Sequence, residues 1–259
     1  MSIANRTGGV IVVSPLMPIP RPNMWLDSSR MLGLSDGNAV TDWYDISGNG
    51  NHATQATANN KPTYKTGIIN SLPAILFQAD AYGKSLNIPL NLIRNVSGAS
   101  IFIVSRILAE SGGNNRRFFQ ICINASTYSK LTALRPAADE SKLDITGRTL
   151  DADVGTDYLS STGILANDTN HVITVLADFA GAYIYGYNNG SLVASGALDS
   201  AGTTNDTDAY AAAIGSNVGP ETTGTLEGHI AEFILYKRTV TSTERAQIEA
   251  YLMTKYAIT

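Results

Sequence analysis

An all-β, two-sheet antiparallel sandwich is predicted by three features of the 259-residue chain. From Met24 onward, short apolar runs rich in Val, Ile, Phe and Tyr alternate with clusters of Gly, Asn, Asp and Ser. Charged residues make up only 15% of the chain beside 44% hydrophobic ones, so its polarity rests on Asn, Thr, Ser and Gly, which occupy turns and the solvated faces of strands. Only one stretch, at the C-terminus, shows the three-and-four spacing of an amphipathic helix. Sandwiches of this length commonly form one domain. The expected layout is an extended arm over 1–23 and a single domain over 24–259.

The arm differs in character from the domain. Val10, Ile11, Val12 and Val13 form a β-prone apolar tetrapeptide, and Pro15, Pro18, Pro20 and Pro22 then favour an extended, polyproline-like path with few internal hydrogen bonds. Such a segment cannot bury its own apolar groups. It is expected to dock on another polypeptide through Val10 to Val13, Pro15, Pro18 and Pro20. Its apolar stretch is too short for a signal-peptide core, and prolines stand where a cleavage site should lie, so no export signal is expected.

Within the domain, "SIFIVSRIL" (Ser100 to Leu108) reads as a central strand, and "RFFQICIN" (Arg117 to Asn124) is expected to pair with it as a hairpin across the loose "SGGNN" loop. "HVITVLA" (His171 to Ala177) is a further buried strand. In "AYIYGYNNGSLVAS" (Ala182 to Ser195), Asn189-Gly190 supplies the positive-φ residues of a tight hairpin turn. "AAAIGS" (Ala211 to Ser216) and "HIAEFILY" (His229 to Tyr236) complete the strands. In the last, a period of two places Ala231, Phe233 and Leu235 on one face and Ile230, Glu232, Ile234 and Tyr236 on the other. Thr241-Ser-Thr-Glu244 is a capping box, after which Ile248, Tyr251, Leu252 and Tyr256 form one apolar stripe.

With these elements placed, the chain resembles the concanavalin A-like, laminin-G-type jelly rolls of the bacterial and phage branch. The resemblance rests on the ordered set "MWLDSS" (Met24 to Ser29), "VTDWYDISGNGNHATQ" (Val40 to Gln55), "KPTY" (Lys61 to Tyr64), "GIINSLPAILF" (Gly67 to Phe77), "IFIVSR" (Ile101 to Arg106), "AAIGS" and "GHIAEFILYKRTVTSTERAQIEAYLMTKYAI". It implies a jelly-roll sandwich ending in a strand and an amphipathic helix, with ligands held by the concave face or by loops at one rim. It also implies a structural role for the Trp43 to Ala53 stretch, which recurs among members of very different activity. Trp43 and Trp25 are large enough to anchor the core, while Asp45, Asn51 and His52 can cap backbone N–H groups in a Ser-Gly-Asn-Gly turn.

Several chemistries are excluded or narrowed. A net charge of −4 provides no basic field for nucleic acid, and no apolar run is long enough to insert in a membrane. The single Cys122 rules out an internal disulfide framework. Glycoside hydrolases of the resembled fold carry two acidic residues close together on one strand, whereas "HIAEF" offers only Glu232, expected to make a surface or loop contact; no catalytic residue is assigned. No cofactor is expected. Calcium is the one metal considered, at Asp151, Asp153 and Asp157 around a glycine. Tyr183, Tyr185 and Tyr187 alternate along one strand and share a face, as a carbohydrate-stacking ladder or as packing.

The expected function is therefore a non-enzymatic structural and binding module, a phage virion protein of the capsid-decoration, head-fibre or tail type. It would be anchored to other virion proteins by its arm, assembled as a homo-oligomer and able to contact cell-surface polysaccharide. The alternatives are a polysaccharide-degrading jelly-roll enzyme, needing carboxylates such as Glu232 and Asp178 to meet in a cleft, and a secreted adhesion domain.

Overall fold

The computed structural model describes residues 17–78, 80–109, 114–123, 129–217 and 224–259. Its strands are β1 (Met24–Asp27), β2 (Asp42–Trp43), β3 (Ala53–Thr54), β4 (Thr63–Ile69), β5 (Leu72–Phe77), β6 (Leu86–Asn87), β7 (Ala99–Ile107) and β8 (Arg116–Cys122). They continue as β9 (Ser129–Arg135), β10 (Asp144–Gly147), β11 (Thr156–Leu159), β12 (Asn170–Asp178), β13 (Tyr183–Asn188), β14 (Ser191–Ala197), β15 (Ala211–Ile214) and β16 (Gly228–Tyr236). The one α-helix among the described residues is α1 (Ser242–Tyr256).

Two antiparallel eight-stranded sheets result. Sheet 1 runs β14-β13-β12-β7-β16-β5-β4 with β1 also paired to β16, and sheet 2 runs β11-β10-β9-β8-β15-β6-β3-β2. The jelly-roll sandwich expected from the sequence is thus the observed fold. Its main core lies between the sheets, where Ile101, Ile103 and Phe233 of sheet 1 meet Phe119, Leu131 and Ile145 of sheet 2. Each such side chain contributes roughly 1.5–3 kcal/mol on leaving water.

A second core lies on the outer face of sheet 1. There Ile248, Tyr251, Leu252 and Tyr256 of α1 cover Phe102, Val104, Val172 and Ile234. The capping box is present as read: Thr241 Oγ1 accepts from Glu244 N at 3.2 Å, and Glu244 Oε2 accepts from Thr241 N at 2.8 Å. The β13–β14 turn also forms as read, with Asn189 at φ 46° and Gly190 at φ 79°, the left-handed pair that a tight hairpin needs.

Four expectations are corrected. β7 and β8 do not form a hairpin: β7 pairs with β12 and β16, whereas β8 pairs with β9 and β15 in the opposite sheet. A connection as long as 108–115 imposes no register, so each strand follows its own buried partners. In β16 a bulge between Ile230 and Glu232 shifts the phase of the alternation. Ile230, Phe233 and Leu235 consequently enter the inter-sheet core, while Ala231, Ile234 and Tyr236 face α1. Trp43 is fully buried between the sheets, but Trp25 packs on the α1 side and donates Nε1–H to Glu232 Oε1 at 2.7 Å. Glu232 is accordingly not at the surface but fully buried.

The end of the arm is seated on its own domain. Met17 and Ile19 join the second core, the Tyr236 hydroxyl donates to Ile19 O at 2.8 Å, and Asn23 N donates to Leu235 O at 2.7 Å. Residues 17–23 are thus engaged with their own domain through Met17, Ile19, Pro22 and Asn23, while Pro18 and Pro20 face outward. Val10, Ile11, Val12, Val13 and Pro15 lie outside the described residues. Among the described residues no helix is long and apolar enough to cross a membrane.

Candidate functional site

The outer face of sheet 2 carries a groove of about 520 Å³ across β8, β9, β10 and β11. Period-two alternation builds it. Leu131, Ala133 and Ile145 point into the inter-sheet core, so their neighbours Thr132, Leu134, Asp144 and Thr146 point outward. The ladder then aligns them, with Asp144 opposite Leu134, and Thr146 opposite both Thr132 and Asp157. Arg117 of β8, Arg148 beyond β10, and Val154 complete the walls. Gly155 is needed where Arg148 crosses it: its φ is +75°, and a Cβ there would fall 2.4 Å from Arg148 Nε.

The polar groups of this groove differ in how far they are already satisfied. Thr132 Oγ1 donates to Phe119 O at 2.7 Å, Arg148 Nη1 donates to Asp153 O at 2.6 Å, and the Thr146 hydroxyl donates to Asp157 Oδ1. Asp144 is only 7% exposed, yet its Oδ1 has no hydrogen-bond partner among the described residues. Burial, reinforced by the neighbouring Asp157 carboxylate and opposed by Arg117, pushes the Asp144 carboxyl up to about 7. The groove thus offers guanidinium donors, hydroxyls, an incompletely satisfied carboxyl and an apolar strip at Leu134 and Val154. That combination suits a polyhydroxylated ligand with one apolar face.

Sequence reasoning missed this site. Asp144 and Asp157 lie thirteen positions apart on different strands and become diagonal neighbours only through the β10–β11 register. The one available signal was the polar alternation of "KLTALR" and "DITG" against apolar neighbours.

The residues predicted from sequence are placed elsewhere or held otherwise. Tyr183, Tyr185 and Tyr187 do share a face, with the first two rings 4.9 Å apart. That face is the outer side of sheet 1 beside α1, where Tyr185 and Tyr187 pack on the second core and the Arg245 guanidinium lies 4.0 Å over the Tyr187 ring. Tyr183 keeps 36% exposure. Asp151, Asp153 and Asp157 do not converge on a calcium position. Asp151 pairs with Lys130 at 2.9 Å, Asp153 accepts from Ser200 Oγ at 2.7 Å and Leu150 N at 2.9 Å, and Asp157 accepts from Thr146. Among the described residues no three His, Cys, Asp or Glu side chains gather as metal ligands. Glu232 is sealed beneath α1, while Asp178 accepts from Gly181 N at 3.1 Å in the turn after β12. Cys122 is buried and its thiol is pushed up to about 12 by burial, which suits an inert core position.

The Asp42 to Gln55 stretch serves the backbone. Asp45 Oδ1 accepts from Trp25 N and Ser47 N, both at 2.9 Å, and Oδ2 accepts from Asn51 N at 2.9 Å. His52 Nδ1 accepts from Asp45 N at 2.9 Å. Asn51 serves a carbonyl instead of an N–H, donating Nδ2–H to Asn23 O at 2.7 Å, and Asn49 Nδ2 donates to Pro22 O at 3.0 Å. The loop therefore fastens the end of the arm to β1.

The fold defines a class, the two-sheet jelly-roll sandwich, that is shared with solved structures of low sequence identity. The binding domain of botulinum neurotoxin serotype D superposes with a TM-score of 0.65 at 10% identity, over 90% of this chain and 51% of that one. The binding domain of Paraclostridial Mosquitocidal Protein 1 gives 0.60 at 14% identity, over 88% and 53%. Trypanosoma rangeli sialidase, in complex with 2-keto-3-deoxy-D-glycero-D-galacto-2,3-difluoro-nononic acid, gives 0.62 at 12% identity, over 92% of this chain and 33% of that one. The chain thus spans about half the length of the two toxin domains and about a third of the sialidase. No family model and no curated protein matches the chain.

Proposed function

We propose that the chain is a carbohydrate-binding β-sandwich module of the laminin-G-like type, with its ligand in the sheet 2 groove. The observation that carries this reading is the groove itself: about 520 Å³ of open space lined by Arg117, Thr132, Asp144, Thr146 and Asp157 around the apolar Leu134 and Val154. Hydroxyl groups of a sugar need donors and acceptors in turn, and its C–H face needs apolar cover. Two of the structural neighbours are binding domains by description, which accords with a recognition role. The ordered motifs from Met24 to Ile258 support the laminin-G-type placement.

A glycan array and titration calorimetry test the reading. Asp157 is exposed on the groove wall, so Asp157→Ala is expected to lower affinity for any captured glycan about tenfold, roughly 1.4 kcal/mol, with the thermal midpoint unchanged within about 2 °C. Equal affinity of the variant would move the site elsewhere. Release of reducing ends by the wild-type chain would replace binding by hydrolysis, with Asp144 and Asp157 as the acid and base.

Attachment to a virion or comparable assembly through the residues ahead of Met17 is part of the same proposal. It draws support from the β-prone tetrapeptide and the proline series. Deleting residues 1–16, which leaves the Met17 and Ile19 anchors in place, is expected to keep the fold and abolish incorporation into particles. Undiminished incorporation would refute it.

A further inference from the structure

We propose that Asp144 is the hydroxyl-recognising carboxylate of the sheet 2 groove, and that the groove takes a neutral sugar unit donating an O–H to Asp144 Oδ1, in preference to a carboxylated sugar. This rests on the carbohydrate-binding reading and specifies its ligand.

Three observations converge on it. Asp144 is more than nine-tenths buried, its Oδ1 has no partner among the described residues, and the residue lines open space in the groove. A buried acceptor left without a donor costs about 1–3 kcal/mol, so a ligand that supplies one is favoured at that atom. Asp157 is its diagonal neighbour across the β10–β11 ladder, so a ligand carboxylate at the same position would meet two like charges. The charged side chains lining the groove with Asp144 are Asp157 on β11, Arg117 on β8 and Arg148 beyond β10, two of each sign once Asp144 is included. The groove has no cationic excess with which to select an anionic sugar when Asp144 is ionised.

The same geometry makes recognition depend on pH. A carboxylic acid has one oxygen committed as a donor, whereas the ionised group accepts at both oxygens. Burial and Asp157 hold the Asp144 carboxyl up to about 7, so the form that accepts at both oxygens gives way, as pH falls through that value, to one with an O–H in place of an acceptor. Affinity for a neutral sugar is expected to fall by up to about tenfold for each unit below this point.

The test is titration calorimetry of the full chain with two probe sets at pH 5.5, 7 and 8. The neutral set comprises oligomers of glucose, galactose and N-acetylglucosamine, and the acidic set comprises oligogalacturonate and sialyllactose. The expected result is binding to a member of the neutral set, at least tenfold weaker at pH 5.5 than at pH 8. Asp144→Asn, nearly identical in size, is expected to flatten that pH dependence. Binding to the acidic set alone would overturn the inference while leaving carbohydrate recognition intact. No binding to either set, together with a silent glycan array, would overturn both. Should Asp144→Asn fail to fold, the wild-type pH profile decides, and a flat profile refutes the assignment of Asp144.

Discussion

Replacing Lys255 with methionine is expected to destabilise the domain by about 3–5 kcal/mol, the cost of leaving buried charges without their partner. Lys255 stands in the last turn of α1, where its Nζ lies 2.7 Å from both Asp27 Oδ2 and Glu232 Oε2. The three side chains are 6%, 1% and 0% exposed. Trp25 Nε1 donates to Glu232 Oε1 at 2.7 Å, and the Tyr256 hydroxyl donates to Oε2 at 3.0 Å. A cation from the helix, one carboxylate from β1 and one from β16 thus join α1 to sheet 1 through a fully packed contact. Methionine retains the apolar stem but leaves two carboxylates facing each other out of water.

The pH dependence of that loss is set by Glu232. Burial, with Asp27 adding to it, holds its carboxyl above the ordinary glutamate range. A raised carboxyl binds its proton more tightly folded than unfolded, so its contribution to stability is present at low pH and is lost as pH rises. Removing Lys255 takes away the main counter-charge and pushes the carboxyl higher still. The deficit of the variant should therefore be largest near pH 8 and shrink toward pH 5, as Glu232 takes up a proton. Urea denaturation at both values measures it. Lys255→Met with Glu232→Gln should recover much of the loss, because the two positions share one interaction. A deficit under about 1 kcal/mol at pH 8 would show that the buried cluster does not hold the helix.

The parts of this architecture legible in the sequence are those set by neighbours a few residues apart. The Thr241–Glu244 capping box and the Asn189-Gly190 turn are local hydrogen-bond and φ requirements, and both form as read. β7, β12 and β16 are apolar runs bounded by turn residues, and their existence is implied by that pattern. The hidden parts depend on distant partners. Nothing local in Arg117 to Cys122 says that it belongs to the sheet opposite β7. A bulge adds one unpaired residue without a compositional mark, so a strict period of two misplaces Ile230 and Ala231 between the faces of β16. Glu232 reads as a surface carboxylate until Trp25, Asp27 and Lys255, far from it or from one another in the chain, converge on it. The sheet 2 groove is hidden for the same reason, since Asp144 and Asp157 meet only through strand register. The tyrosine alternation is legible, but periodicity says which residues share a face and not what covers that face. Here the second core and Arg245 partly cover Tyr185 and Tyr187, while Tyr183 stays exposed.

Replacing Asp45 with alanine should cost about 3 kcal/mol and leave any binding in the sheet 2 groove unchanged. Asp45 is 8% exposed and accepts from three backbone N–H groups, those of Trp25, Ser47 and Asn51, as well as from Ser47 Oγ at 2.8 Å. Alanine removes every one of these acceptors, and a buried N–H left without one costs about 1–3 kcal/mol, less where water reaches it. Asparagine keeps Oδ1 for Trp25 and Ser47 but turns a donor toward Asn51 N, so Asp45→Asn should lose about half as much. The ordering Ala worse than Asn worse than wild type, read by urea denaturation, is what a backbone-serving carboxylate requires. A chemical role would give a different result: both variants would lose ligand affinity at temperatures where they remain folded. The loop also holds Asn23 and Pro22 through Asn51 and Asn49. Asp45→Ala should therefore loosen the seating of residues 17–23 and raise proteolytic cleavage there before the sandwich itself unfolds. Cleavage of the variant only at its global unfolding midpoint would show that the arm is held by Met17 and Ile19 alone, without help from the turn.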